Sequence, residues 1–464
     1  MTPNEFRTYG YAAIDWIAHY LEHTRDYPVL SDTQPGSLIA ALPAQGPELP
    51  ESFAQILEDF EREIVPRNTQ WNHPRFLGYF ANSSPPEGIL AELLAAALNP
   101  NAMLWKSSPA ATELEQVTLA WLRQWMGLPD SWFGQILDTA STSTFHAIVA
   151  ARVRKGHKCS DASLTLYASK HAHSSIEKGA MAAGIARENV RLIDVDEHFR
   201  LRPDLLESAI VADLAAGLVP FCVIPTIGTT SVAAIDPVPA IIDIARRHGL
   251  WVHVDCAYGG STAIDPRYRW VLEGAGDADS LVVNPHKWLF VPMDLSVFYC
   301  RNAEWLRSAF SLVPEYLRTQ DNPLALNLHE YGLPLGRRFR SLKLWFTMRS
   351  YGRQRLADLI HQQIEDAKRL AALIAAHPDF EVVAPVHFSL IVFRHKSHKA
   401  SDAFNLELLD RLNTTGQVLL SPNLLNGRQV IRLAIGNIQT DWQDLEQVWK
   451  MIQATAGELM TTRP

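Results

Sequence analysis

Residues 250–290 read LWVHVDCAYGGSTAIDPRYRWVLEGAGDADSLVVNPHKWLF. Two short apolar runs, Trp251–Asp255 and Ser280–Val283, each stop at a polar signal. The first ends on Asp255 and a string of small residues. The second ends on Asn284-Pro285, followed by His286, Lys287 and Trp288. Such runs bounded by turn residues read as buried strands. The segment between them is long enough for a crossover, so the pair reads as parallel. Trp251, His253 and Asp255 share one strand face by the period of two. Lys287 is then either a surface residue beside an interior strand or an amine held in a pocket.

The same pattern extends outward. Gly134–Leu137, Leu164–Ala168, Val190–Ile193, Phe221–Pro225 and Ser296–Tyr299 complete a set of strand candidates, and most connections hold a helix-length segment. That is the signature of an α/β domain with a large, mostly parallel seven-stranded sheet, whose ligands gather outside the carboxyl ends of the strands. Helices are expected over Gly88–Leu98, behind Pro85-Pro86, and over Thr112–Met126. From about residue 343 the order changes. A long helix (Lys343–Ala376), strands near 380–394, a helix near 402–413, strands near 417–421 and 429–434 and a final helix predict a small α+β domain. Thr440 with Gln443 reads as a capping box for the last helix, and Trp442, Leu445, Val448, Trp449 and Ile452 as its buried stripe. The N-terminal residues supply helices at about 4–22 and 51–64. The stripe Phe6, Tyr9, Ala13, Trp16, Ile17 and Tyr20 needs a partner surface, because this segment is too thin for a core of its own. The expected division is therefore 1–84, 85–342 and 343–464.

Composition narrows the function classes. The 464 residues are 47% hydrophobic and 20% charged, with a net charge of −8. No basic block suggests nucleic acid, and no apolar run of about 18 residues suggests a membrane span. The N-terminus lacks the layout of a signal peptide. Cys159, Cys222, Cys256 and Cys300 are dispersed and read as free thiols of a reducing compartment, which points to the cytoplasm.

Three features converge on the strand ends. Asp255 is costly at a buried strand end unless it meets a positive partner, although a helix cap or a surface ion pair would also explain it. Residues 138–152, DTASTSTFHAIVAAR, run a Ser/Thr-rich loop into a helix whose N-terminus suits a phosphate, or simply an N-cap. Lys287, desolvated by Trp288 and Phe290, would be a nucleophilic amine toward an aldehyde. No glycine-rich nucleotide loop is present. A phosphate, a cationic ring nitrogen and an aldehyde occur together in pyridoxal 5′-phosphate, which fits all three features.

With these residues in view, the chain resembles the group II pyridoxal-phosphate-dependent decarboxylases, most closely the aromatic-L-amino-acid decarboxylases. The resemblance spans nearly the whole chain: QPGSLIAALP (34–43), HPRFLGYF (73–80), SSPAATELE (107–115), DTASTST (138–144), HAHSS (171–175), TIGTTS (226–231), HVDCAYGGS (253–261), NPHKW (284–288) and PLGRRFRSLKLWF (334–346). It implies fold type I of the pyridoxal-phosphate-dependent transferases, working as a homodimer with the active site at the subunit interface. Lys287 matches the lysine that forms the internal aldimine, and Asp255 the partner of the pyridinium nitrogen. His173 matches the imidazole stacked on the ring. Thr139, Ala140, Ser141 and Asn284 match the phosphate grip, and Thr230, Ala257 and His286 line the cofactor. Tyr316, in VPEYLRT, matches the tyrosine of a mobile catalytic loop. No metal is implied.

Trp71, Tyr79 and Phe80 match substrate-facing positions that suit an aromatic side chain. Asn82 and Met103 belong to the same set, and Asn101 and Met103 would come from the neighbouring subunit. Ala81, Asn82, Asn101 and Met103 depart from the animal pattern, and His329 stands where those enzymes carry a loop arginine. Gly336 matches the aromatic type. The resemblance implies decarboxylation of Dopa, tyrosine, tryptophan or phenylalanine to the arylalkylamine. Relatives that form aromatic aldehydes by oxidative decarboxylation–deamination typically replace the loop tyrosine by phenylalanine, or lose the histidine. Tyr316 and His173 are both present, which favours the amine, with aldehyde synthesis as the alternative.

Overall fold

The computed structural model describes residues 1–156, 163–312, 325–396 and 401–462. They form two compact units: Met1–Ala81, Arg369–Val383 and Val392–Pro464 in one, Asn82–Lys368 and Ala384–Ile391 in the other. The first unit opens with helix α1 (Pro3–Glu22). Thr2 and Glu5 close a reciprocal capping box at its start, with bonds of 3.2 and 2.6 Å. Helix α2 (Ser37–Ala41) and helix α3 (Phe53–Asp59) follow. The single helix expected over 51–64 is divided: past Asp59 the chain widens into a π-helical turn, Phe60–Ile64, then tightens at Val65–Arg67. Pro66 lacks the N–H that would continue an α-helix. Tyr9 packs on Phe53 and Trp16 on Phe60, each with ring centroids 4.9 Å apart. No residue of α1 is fully buried, so its apolar stripe is only partly covered within this chain.

The larger unit begins with helices α4 (Pro86–Leu98) and α5 (Pro109–Met126). Strand β1 (Phe133–Leu137) leads into α6 (Ala140–Lys155), and β2 (Leu164–Ser169) into α7 (Ser175–Ala182). Then come β3 (Val190–Ile193), α8 (Pro203–Ala215), β4 (Val219–Ile224), α9 (Val238–His248), β5 (Trp251–Asp255), β6 (Ser280–Val283), the short turn of helix α10 (Pro285–Trp288), β7 (Ser296–Cys300) and α11 (Ala303–Phe310). The strands form one sheet in the order β1-β7-β6-β5-β4-β2-β3. Neighbours from β6 to β3 pair in parallel, while β7 runs antiparallel to both β6 and β1. The other six strands therefore point one way and end on one edge. Every residue of β2, β5, β6 and β7 is buried, as expected of strands covered on both faces. All seven strand expectations are met, β3, β5 and β6 residue for residue and the other four with one or both ends shifted by one or two residues.

Helix α12 (Ser341–Ala376) is not the uninterrupted rod its sequence suggests. Gly352 takes φ 65° and ψ 164°, and the helix kinks there. The remaining elements are β8 (Phe380–Val382), β9 (Leu390–His395), α13 (Asp402–Thr414), β10 (Ser421–Leu425), β11 (Arg428–Ala434) and α14 (Trp442–Thr462), with a four-stranded sheet ordered β10-β11-β9-β8. Two local expectations are corrected. The strand expected at 417–421 forms at Ser421–Leu425 instead, because Leu419 is taken by an isolated bridge to Phe76. The cap of α14 is not Thr440 with Gln443. Asp441 Oδ1 accepts the Asp444 N–H at 2.9 Å, Asp444 Oδ2 accepts the Asp441 N–H at 3.3 Å, and the Thr440 hydroxyl donates to the Pro74 carbonyl at 2.6 Å.

Cys222, Cys256 and Cys300 are free and buried, and burial pushes their thiols up, Cys300 to about 12. Cys159 lies outside the described residues. Among the described residues no helix is long and apolar enough to cross a membrane.

Candidate active site

The ends of β5 and β6 stay joined beyond the sheet. Asp255 sits opposite Val282, the Cys256 N–H donates to the Val282 carbonyl, and the Asn284 N–H donates to the Ala257 carbonyl, both at 3.1 Å. On its other side Asp255 is tied to the end of β4 by backbone bonds to Pro225 (2.9 Å) and Ile227 (2.8 Å). The residue is 5% exposed, and Oδ1 of its carboxylate accepts the Ala257 N–H at 3.1 Å. Lys287 is half-buried one turn into α10, its N–H bonded to the Asn284 carbonyl at 2.9 Å. Trp288 stacks on Tyr258 at 4.6 Å and donates from Nε1 to Gln363 at 2.7 Å. Neighbouring side chains on a helical turn point about 100° apart. Trp288 thus anchors the turn in the core.

His173 follows β2, two residues ahead of Ser175. Its Nδ1 receives the Ser175 N–H at 3.1 Å, and a backbone N–H can only donate, so the ring proton sits on Nε2. Partial desolvation and the Lys287 ammonium lower its pKa, while the Asp255 carboxylate raises it. One neutral imidazole thus senses both the amine and the acid. His286 is 3% exposed, and its Nδ1 accepts the Leu295 N–H at 3.0 Å. Burial, then Lys287 and Lys343, hold its pKa down to about 3, against Asp294.

At the end of β1, Thr139 occupies the N-cap of α6 without a side-chain cap bond. The simple N-cap reading of this loop is therefore not what forms. Ala140 is half-buried and Ser141 exposed there. Asn284 is 2% exposed, and its Oδ1 has no hydrogen-bond partner among the described residues. Thr230 is half-buried after β4, in a turn pinned by the Gly228 and Thr229 N–H groups on the Ala234 carbonyl. Residues expected to form the cofactor set thus stand after β1, β2, β4, β5 and β6, on one edge of one sheet. An uncapped helix start, an acid with one oxygen spent on a backbone N–H and a half-buried amine suit the phosphate, ring nitrogen and aldehyde of pyridoxal phosphate.

Asn82 and Met103 belong to the same unit, with Asn82 Nδ2 at 3.3 Å from the Met293 sulfur. Trp71, Tyr79 and Phe80 belong to the other unit. There Trp71 and Tyr79 stack at 5.8 Å, Tyr79 holds a left-handed φ of 50°, and Arg432 lies 5.3 Å over the Phe80 ring. Tyr316 lies outside the described residues.

Sequence reasoning missed Asp236. It is fully buried between two connections, accepting the Leu201 N–H at 2.7 Å and the Thr226 N–H at 2.8 Å. Burial raises its pKa from 3.8 to about 7, against those two bonds. A carboxyl raised on folding contributes most below about pH 4 and loses that contribution as pH climbs through about 7. The stability of the wild type relative to Asp236→Asn should therefore fall by about 2–4 kcal/mol between pH 4 and 8, read from urea midpoints. A difference that stays flat with pH would show that Asp236 is not titrating there.

Over residues 35–396 the chain matches the pyridoxal-dependent decarboxylase conserved domain. It is 38% identical to phenylacetaldehyde synthase of Arabidopsis thaliana, covering 99% of this chain and 97% of that protein. It is 37% identical to an aromatic-L-amino-acid decarboxylase of Catharanthus roseus, covering 98% and 94%. It superposes on the crystal structure of Oryza sativa TDC with PLP and tryptamine with a TM-score of 0.96, at 35% identity and 99% coverage of both chains. The chain belongs to the pyridoxal-dependent decarboxylase family.

Proposed function

We propose that this pyridoxal-dependent decarboxylase removes carbon dioxide from aromatic L-amino acids of the Dopa, tyrosine, tryptophan or phenylalanine type and releases the arylalkylamine. The observation that carries the reading is the junction of β5 and β6, where the Cys256 bond to Val282 and the Asn284 bond to Ala257 set the buried Asp255 beside the turn that bears Lys287. Pyridoxal phosphate, when bound, supplies the sink for the electrons of the departing carboxylate. Lys287 would hold the cofactor through its aldehyde. Asp255 keeps a proton on the ring nitrogen, since an opposite charge nearby favours the charged form. The first turn of α6, with Thr139, Ala140 and Ser141, holds the phosphate together with Asn284. His173 would lie beside the cofactor ring, its imidazole proton on Nε2. Thr230, Ala257 and His286 complete the lining.

Tyr316 delivers the proton to the substrate α-carbon. Asn82 and Met103 face the aromatic side chain. The enzyme works as a cytoplasmic homodimer, in which the neighbouring subunit contributes Asn101 and Met103 and covers the open stripe of α1. The expected domain division, with an N-terminal segment serving the partner, belongs to the same reading.

The test is a panel of the four amino acids with the holoenzyme. Amine and carbon dioxide should appear in equal amounts. Aldehyde and hydrogen peroxide in place of amine would favour the second reading, aldehyde synthesis, for which the likeness to phenylacetaldehyde synthase speaks.

A further inference from the structure

Residues Asn101–Trp105 have little regular structure of their own. They are held from outside by one segment, Asn327–Arg337. The Trp105 N–H donates to Asn327 Oδ1 at 3.3 Å, and the Arg337 N–H donates to Asn101 Oδ1 at 3.0 Å. The Ala102 N–H donates to the Arg337 carbonyl at 2.9 Å, and Arg337 Nη1 returns a bond to the Ala102 carbonyl at 3.3 Å. Arg337 is itself locked, with Nη2 at 2.7 Å from Glu115 and 2.9 Å from the Ile136 carbonyl.

Met103 lies in the middle of this braced stretch. Its carbonyl receives both the backbone N–H and the ring of His329, each at 3.2 Å. A carbonyl only accepts, so Nδ1 carries a proton and donates it to Met103. The His329 Nε2 is buried and has no partner among the described residues. His329 is 6% exposed. A buried histidine whose ring makes one polar bond, to a backbone carbonyl that another N–H already holds, is a device for placing that carbonyl. Arg337 fixes one end of the stretch through a buried ion pair; His329 sets where Met103 sits within it.

We infer that His329 is a positioning residue that sets substrate selectivity, by fixing the Met103 wall of the pocket for the aromatic side chain. The inference rests on the proposed decarboxylation and on Met103 facing the substrate. A small displacement of one apolar wall distinguishes a phenol from an indole without touching the bond-breaking groups.

The experiment compares wild type, His329→Ala, His329→Asn and Asn327→Ala as holoenzymes. It reads kcat and KM for tryptophan, tyrosine and phenylalanine, and the Kd of tryptamine and tyramine. His329→Ala should shift the tryptophan-to-tyrosine ratio of kcat/KM about tenfold, mainly through KM, the size expected when a pocket gains or loses about one methylene. The Kd ratio of the two amines should move in the same sense, while cofactor content stays unchanged. His329→Asn, whose side-chain amide still reaches the Met103 carbonyl, should restore most of the wild-type ratio. Asn327→Ala cuts the adjacent brace to Trp105 and should shift the ratio too, which keeps the test open if His329→Ala folds poorly. Equal losses on every substrate, or unchanged ratios in both alanine variants, would overturn the inference and leave the decarboxylase reading intact. A wild-type holoenzyme inactive on all aromatic amino acids would overturn both.

Discussion

Lys287→Ala is expected to abolish turnover of every aromatic amino acid, with kcat falling by about 10³-fold or more, the scale seen when a covalent catalyst is removed. The fold should survive. α10 is held by backbone bonds, by the buried Trp288 stack on Tyr258 and by the Trp288 bond to Gln363, and none of these uses the amine. Borohydride reduction of the wild-type holoenzyme should attach the cofactor to Lys287 and abolish its visible band. The variant should retain no covalent label after the same treatment. If Lys287→Ala kept turnover within tenfold of wild type, the amine would have no part in the reaction and the reading of the whole edge would fall.

The second large effect belongs to Asp255. Asparagine keeps an oxygen that can accept the Ala257 N–H, so the turn after β5 should hold. What it loses is the charge. A neighbouring carboxylate favours a protonated ring nitrogen by about 1–3 pKa units, or roughly 1.4–4 kcal/mol. Asp255→Asn should therefore lower kcat by about 10- to 10³-fold with cofactor still bound. Its His173 should also change. Without the carboxylate that raises the imidazole pKa, that pKa should drop further, which nuclear magnetic resonance titration of the ring would read. An unchanged kcat together with an unchanged His173 titration would remove Asp255 from the site.

Much of the frame was legible without coordinates. The seven strands stood out as short apolar runs bounded by turn residues, a local property, and every residue of β2, β5, β6 and β7 is buried because these strands are covered on both faces. The ends of those runs carried Asp255, Asn284 and Lys287 for the same reason. The kink at Gly352 was harder to foresee, because a lone glycine inside a helical pattern is tolerated as often as it breaks one. The cap of α14 was misplaced by one residue, since Thr440, Asp441, Gln443 and Asp444 offer two overlapping capping patterns and only the Pro74 carbonyl, far away in the chain, decides between them.

Local periodicity and turn chemistry thus determined the elements, their order and the edge on which the polar residues would meet. The tertiary structure alone decided how those residues are held. Glu115 with Arg337, Asp236 with Leu201 and Thr226, and His329 with Met103 each join chain positions that no local pattern relates. The proton on His329 Nδ1 follows from its partner, the Met103 carbonyl. Burial of apolar surface is additive and is written residue by residue along the chain, whereas a hydrogen bond needs two groups within about 3 Å, a distance that only the folded chain sets.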